Sequence, residues 1–363
     1  MVQGVTIPGA TDAETVLARR VRWGVLGVAG IAMSKVIPAL QKGEWTEVVG
    51  IASRDGERAR AAAESLGIPR SYASYEEMLA DPEIEVVYNP LPNHLHVPWT
   101  ARAAEAGKHV LCEKPIGLNA AEVRELLAIR ERTGVMIGEA FMVRTHPQWI
   151  EARRLVQEGR IGELRLVSGY FSYFKLDPDN IRNKLEMGGG GLMDIGCYPV
   201  HVSRYLYGEE PRRVVSLIDR DPGMGIDRLT SVMMDFPAGQ ATFTCSTQMV
   251  ASQRMQIFGT KGRIDVEIPF NAPPDQPVRI VVDDGGSAPA AGGEVIEFPA
   301  VDQYTREGDA FSSAVLAGTH PPVPLEDGIR NMEVLDAIFR SAESGGWEEV
   351  DGEKSEVRNQ KSE

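Results

Sequence analysis

The chain has 363 residues, 43% of them hydrophobic and 25% charged, an ordinary globular composition with room for two domains that excludes disordered and collagen-like classes. Its 38 Lys and Arg stand against 52 Asp and Glu, a net charge of -14 that argues against nucleic acid as a partner. Cys112, Cys197 and Cys245 lie far apart with no C-x-x-C spacing, so neither a disulfide framework nor a zinc site is expected, and no metal is assigned.

Residues 1–20 are small and polar, and Arg19-Arg20 precedes a strand rather than the apolar stretch of an export signal. No window approaches the roughly 18 apolar residues of a membrane helix, so a cytoplasmic location is expected. From 21 to 145, short apolar runs alternate with amphipathic stretches, the signature of βαβ units on a parallel sheet. Strands are expected at 23–26, 48–52, 86–88, 110–112 and 135–138, and helices at 31–41, 56–66, 75–80, 97–106 and 120–132. Asn119 is a good N-cap for the last of these, because its side chain can accept from an orphan backbone N–H.

The first strand runs into Gly27-Val28-Ala29-Gly30-Ile31-Ala32 and then a helix, the context of a dinucleotide fingerprint. The match is imperfect: Gly27, Ala29 and Ala32 occupy the key positions, with a methyl where the second glycine admits the pyrophosphate. An ordinary tight turn is the competing explanation. The second strand ends at Ser53-Arg54, where an acid would bind the ribose 2′-hydroxyl of NAD. A hydroxyl and the guanidinium groups of Arg54 and Arg58 suit a 2′-phosphate instead, so NADP is the preferred cofactor. Asp55 speaks for NAD, the alternative, and both arginines could be simple surface charges. Pro90, Leu91, Asn93 and His96 follow the third strand. No third imidazole or carboxylate joins His94 and His96 at ligand spacing, so this loop is expected to pack beneath a nicotinamide rather than hold a metal. The fourth strand leads into Glu113-Lys114-Pro115, placing the Lys114 ammonium at the carboxyl end of the sheet, where α/β sheets bind ligands.

From 146 to 345 the pattern becomes one helix (149–158) followed by strands at 164–173, 213–218, 229–235, 240–247, 254–259 and 262–267. Hairpin-like gaps imply a second, mostly antiparallel sheet, so the fold class expected is an α/β Rossmann domain with a parallel sheet plus an α+β domain. Residues 271–293 read as loops around a strand at 278–282. A last helix at 326–343 carries Ile329, Met332, Leu335 and Ile338 at helical spacing and could pack back on the first domain; 346–363 reads as a flexible tail. The second sheet is the expected substrate cover and the interface of a homodimer or homotetramer. Within this half, Gly188-Gly189-Gly190-Gly191 precede a helix start on which Asp194 and Tyr198, four apart, share a face, with His201 one turn on. The glycines let backbone approach a ligand, or serve as a hinge.

These strings resemble the glucose-fructose oxidoreductase / inositol dehydrogenase / MocA family over residues 21–343. Residues 139–148 and 180–182 are similar to a branch containing NADP-dependent D-xylose dehydrogenases, dimeric dihydrodiol dehydrogenases and nucleotide-sugar ketoreductases. The resemblance implies a nicotinamide-dependent enzyme acting on CH–OH groups, with Lys114, Asp194 and Tyr198 as its catalytic set and Gly30, Ile31 and Glu113 joining the cofactor residues. Tyr198 stands at the family's acid/base position. A phenol with a pKa of about 10 needs a cation to favour its anion, and Lys114 can be that cation or touch the substrate hydroxyl itself. His201 is then a substrate contact or a core residue. Arg144, His146 and Arg182 either hold substrate hydroxyls or a phosphate, or bridge the domains. A cis bond before Pro115 is implied by relatives, against a trans default. The function implied is oxidation of an aldose to its lactone with NADP. The alternatives are reduction of a keto-sugar, oxidation of a dihydrodiol, and cofactor sensing without turnover, against which Lys114 and Tyr198 both speak.

Overall fold

The computed structural model describes residues 19–285 and 293–350, so the expected extension and tail lie largely outside the described residues. Six strands build the first sheet: β1 (Val21–Leu26), β2 (Thr46–Ala52), β3 (Arg70–Tyr72), β4 (Val86–Asn89), β5 (His109–Glu113) and β6 (Ile137–Ala140). All pair in parallel in the order β3-β2-β1-β4-β5-β6. The order reverses at β1, so a crevice opens outside the carboxyl ends of β1 and β4. Trp23, Val25, Ile51, Val87 and Val110 are fully buried, as a sheet covered on both faces requires.

Local chemistry sets the helix limits. Asp55 accepts from the Arg58 N–H at 3.1 Å to start Gly56–Leu66, which ends on left-handed Gly67. Asn119 caps Ala120–Thr133 as the sequence predicts, accepting from the Glu122 N–H at 2.9 Å. Residues 30–40 are helical but wind as a π turn over Ala32–Val36, just before Pro38, which has no N–H to continue the ladder. The same combination recurs where the π turn Leu192–Gly196 feeds the helix Cys197–Tyr207, with Pro199 in its first turn.

The second sheet contains β7 (Leu164–Phe174), β8 (Arg213–Arg220), β9 (Asp227–Asp235), β10 (Gln240–Ser246), β11 (Gln248–Gly259), β12 (Arg263–Val266), β13 (Val278–Asp283), β14 (Glu294–Phe298) and β15 (Glu348–Glu349). Its order is β14-β13-β12-β11-β7-β10-β9-β8-β15, antiparallel except for the β7–β10 pair. The first residues of the expected tail thus form an edge strand on β8. Two helices tie the halves together. Gln303–Ala317, which the sequence did not reveal, packs on the first domain: the Trp23 indole donates to Ser312 Oγ at 3.0 Å and Thr305 Oγ1 to the Ala39 carbonyl at 2.9 Å. Leu325–Ser344 does pack back on the first domain, since Asp336 accepts from the Ala120 N–H at 2.9 Å, and it also reaches β8, where Ser216 Oγ donates to the Ile338 carbonyl at 2.7 Å. Among the described residues no helix is long and apolar enough to cross a membrane.

Candidate active site

β1 delivers Gly27 at φ +80°, and a Cβ there would come within 2.9 Å of Leu91 Cδ2, so the turn requires glycine. A Cβ on Gly30 would meet nothing within 4 Å, leaving backbone open to a ligand beside the turn. Arg58 Nη2 donates to the Val28 carbonyl at 3.0 Å, which fastens the second helix to this loop. Ser53 is buried, its Oγ accepting from the Asp55 N–H at 3.1 Å, while Arg54 and Arg58 stand exposed at the same edge. The Asp55 carboxylate, the feature that spoke for NAD, is engaged as a helix cap. Ala29 is half-buried and Ala32 buried. An open glycine turn beside two guanidinium groups fits a nicotinamide dinucleotide and its phosphates.

Between the two sheets lies a cleft of about 470 Å³. Ile31, Pro90, Leu91, Asn93, His96, Glu113 and Lys114 line its first-domain side, and Arg182, Asp194 and Tyr198 the other. Both nitrogens of buried His96 face carbonyls, Nδ1 at 2.7 Å from Pro115 O and Nε2 at 2.6 Å from Leu91 O, and burial pulls its pKa down to about 4. The neutral ring donates to one of them. Asn93 Nδ2 donates to the Gly188 carbonyl at 2.8 Å, joining the cofactor-side loop to the glycine run across the cleft. Gly188 has φ +76°, and a side chain there would collide with Leu118. The peptide bond between Lys114 and Pro115 is cis.

Asp194 is the hub of the charged centre. Lys114 Nζ donates to its backbone carbonyl at 2.5 Å and lies 3.5 Å from Oδ1; Arg182 Nε lies 2.9 Å from Oδ1, and the Tyr173 hydroxyl donates to Oδ2 at 2.5 Å. Burial would raise the Asp194 carboxyl, but the Lys114 and Arg182 charges outweigh it and hold the pKa down at about 2. Burial would likewise lower Lys114, and the charge of Asp194, joined by Cys197 and Glu113, more than offsets it, leaving the ammonium above its ordinary value. Glu113, which accepts from the Tyr88 hydroxyl at 2.5 Å, is pushed up by burial.

Tyr198 is buried, its ring held edge-on to Phe141 and Phe171 at 5.3 and 5.9 Å and tilted against Phe270 at 5.4 Å. Its hydroxyl donates to Met142 Sδ at 3.4 Å. Lys114 Nζ sits over the ring face, 4.9 Å from its centroid, rather than beside the oxygen. Burial pushes the phenol well above its ordinary value, with the nearby acidic groups adding to the shift. With Lys114 over the ring face and burial pushing the phenol up, this centre presents a protonated ammonium and a protonated phenol at neutral pH.

Residues 21–141 match a family model described as the oxidoreductase family with NAD-binding Rossmann fold of the Gfo/Idh/MocA type, and residues 149–265 match the C-terminal domain of the same family. The chain belongs to the Gfo/Idh/MocA oxidoreductases. It is 51% identical over 331 residues to an uncharacterized oxidoreductase of Rhizobium meliloti, covering 91% of this chain and 99% of that protein. It is 38% identical to D-xylose 1-dehydrogenase (NADP(+)) 2 of Haloferax volcanii, again over 91% of this chain and 99% of the relative. Its fold superposes with a TM-score of 0.82 on a 3-ketoreductase from Actinomadura kijaniata in complex with NADP and TDP-benzene, at 30% identity, covering 89% of this chain and 98% of that one.

Three residues expected at the substrate of this Gfo/Idh/MocA enzyme do not line the cleft. The Arg144 guanidinium stacks 4.1 Å over the Tyr205 ring and lies 3.3 Å from Asp327. His146 caps the helix Pro147–Gln157, its Nδ1 accepting from the Gln148 N–H at 3.2 Å, and burial pulls its pKa to about 4. His201 stacks on Phe141 at 4.0 Å and burial holds it neutral, well below its ordinary value. Of the roles left open for them, the geometry gives the structural ones; Arg182 alone of the four faces the cleft. Tyr173, Met142 and Tyr304 line it as well. Met142 sits in a short turn after β6 and Tyr304 near the start of the helix Gln303–Ala317, and neither carries a sequence pattern that points to the cleft.

Proposed function

We propose that the chain is an NADP-dependent sugar or polyol dehydrogenase that oxidises an aldose to its lactone. The observation that carries this is the convergence of Lys114 and Tyr198 on one cleft at the carboxyl edge of β5. Oxidation removes a hydride and a proton from the carbinol, and bound NADP accepts the hydride. The proton is the protein's task. Tyr198 exchanges it with the substrate oxygen, Lys114 supplies positive charge beside that oxygen, and Asp194 holds Lys114 in place. Arg182 offers guanidinium donors to further hydroxyls. Ser53, Arg54 and Arg58 support NADP over NAD, and the Haloferax relative supports an aldose. We expect a cytoplasmic homodimer or homotetramer, supported by Leu217, Val250 and Val295, exposed at 76%, 79% and 53% on strands of the second sheet.

A second reading, reduction of a keto-sugar, is favoured by one observation: Tyr198 and Lys114 are both held protonated, the state that donates to a carbonyl oxygen. The superposable ketoreductase supports it. One experiment separates the two: reduction of NADP and NAD with aldoses, inositols and dihydrodiols, beside NADPH oxidation with keto-sugars. Aldose turnover that prefers NADP and quickens with pH as the phenol ionises supports the dehydrogenase. NADPH consumption by keto-sugars alone, slowing as pH rises, supports the reductase. Silence in both directions with tight NADPH binding leaves a cofactor-sensing protein.

A further inference from the structure

The hydroxyl of Tyr198 differs from those of Tyr88, Tyr173 and Tyr207 in what it donates to. Tyr88 donates to a Glu113 oxygen at 2.5 Å, Tyr173 to an Asp194 oxygen at 2.5 Å and Tyr207 to the Gln240 carbonyl at 2.7 Å. Among the described residues the Tyr198 hydroxyl has one hydrogen-bond partner, the Met142 thioether at 3.4 Å. Sulfur in a thioether is a weak acceptor, weaker than any carbonyl or carboxylate. The ring cannot move to find a better one, because Phe141, Phe171 and Phe270 pack around it. The oxygen is thus fixed and only its hydrogen is free to turn. Met142 belongs to the turn Met142–Thr145 that follows β6, so the contact crosses from the first domain to a helix of the second, inside the cleft that both residues line.

We infer that Met142 is a positioning residue for the proton step: its sulfur parks the Tyr198 proton weakly, so the phenol turns to a substrate oxygen without first breaking a strong hydrogen bond. This rests on the reading in which Tyr198 exchanges the proton. A carbonyl at the same place would hold the hydroxyl in the ground state and raise the barrier by the strength of the bond to be broken, on the order of a tenfold loss in rate. An aliphatic side chain of similar volume would impose no such barrier but would leave the hydroxyl hydrogen without a set direction. The thioether fills the space as a hydrophobe does, yet leaves the buried hydroxyl partnered.

The test compares Met142→Gln, Met142→Leu and Tyr198→Phe in the full chain, assayed with NADP and the sugar of the panel above that turns over fastest. Met142→Gln is expected to lower kcat about tenfold with KM for the sugar within about twofold, while Met142→Leu, which leaves the hydroxyl without an acceptor, lowers kcat by clearly less than Met142→Gln does. A readout without substrate accompanies it: the infrared difference spectrum against Tyr198→Phe isolates the phenol band, expected to show a weakly bonded hydroxyl in the native chain and a strongly bonded one in Met142→Gln. Equal behaviour of Met142→Gln and Met142→Leu, whether both fall or neither does, overturns the inference, as does a native phenol band already typical of a strong donor. Full activity in Tyr198→Phe overturns the parent reading and this inference with it; a collapse in Tyr198→Phe with indifferent Met142 variants overturns this inference alone.

Discussion

Asp194→Asn removes the charge at the hub of the site while keeping the side chain's shape. The backbone carbonyl that accepts from Lys114 Nζ at 2.5 Å is untouched, but the carboxylate that faces Lys114 at 3.5 Å, Arg182 at 2.9 Å and the Tyr173 hydroxyl at 2.5 Å becomes neutral. Two estimates of the cost agree. The carboxyl is held at about 2 against an ordinary 3.8, a coupling of about 2 kcal/mol by linkage. Breaking a buried pair costs about 3–5 kcal/mol, and Arg182, with 39% of its side chain exposed, brings that down to about 2–3. Because the folded value is depressed, this stability is fully present above the ordinary 3.8 and lost as pH falls toward about 2. Urea unfolding near neutral pH should show the variant about 2 kcal/mol less stable, with the difference shrinking as the titration is repeated at acid pH. Lys114, deprived of the charge that offsets its burial, should also titrate lower, bringing down the alkaline limb of the kcat profile. A variant within about 0.5 kcal/mol of the native chain, with an unmoved limb, would refute the claim that Asp194 holds the Lys114 charge.

Glu139 tests burial in the opposite sense. Its Oε1 accepts from the Ile116 N–H at 2.9 Å, Oε2 is buried without a partner, and burial lifts the pKa from 4.5 to about 8. The raised value favours the folded state fully below 4.5 and loses that advantage as pH rises through about 8, so Glu139→Gln, which keeps the acceptor and cannot ionise, should gain on the native chain across that window by at most about 1.4 kcal/mol per pH unit. Melting temperatures measured across the window check this, and parallel curves would contradict it. The Arg54→Ala/Arg58→Ala double variant should weaken NADP roughly 10- to 100-fold and NAD less than about threefold, read by fluorescence titration of each reduced cofactor; equal losses for both would remove the case for a 2′-phosphate contact.

The first domain was legible because its strands are continuous apolar runs and its turns carry capping residues: Asn119 and the strand-to-helix turn at Gly27 stand where the sequence places them. The short edge strands β3 and β14 were not, since Arg70-Ser71-Tyr72 is too short and exposed to alternate and Glu294–Phe298 turns only Ile296 and Phe298 inward. The helix Gln303–Ala317 was hidden for another reason. Its buried face is built partly from Gln303, Glu307, Gly308 and Ser312, so the apolar period is broken, and Gly308 is there because helix and Leu40 touch. At the site, Lys114 was readable from a strand end and Asp194 and Tyr198 from a glycine run and helix start, while their roles and Arg182 came from the family resemblance; the structure gathers all four in one cleft. What the sequence could not convey was direction: that Lys114 faces Asp194 rather than the phenol oxygen, and that Arg144, His146 and His201 turn toward Asp327, a helix end and Phe141. Such choices depend on partners far away in the chain, which no local pattern encodes.

The most direct test of the central claim is the steady-state kcat of Tyr198→Phe for the fastest sugar, measured beside its NADPH affinity and melting temperature. The hydroxyl touches a thioether and no structural oxygen, so its loss should leave affinity and melting unchanged while kcat falls about 10²- to 10⁴-fold, the weight of a positioned acid/base. A variant that retains kcat within about threefold would contradict the assignment of the proton to Tyr198.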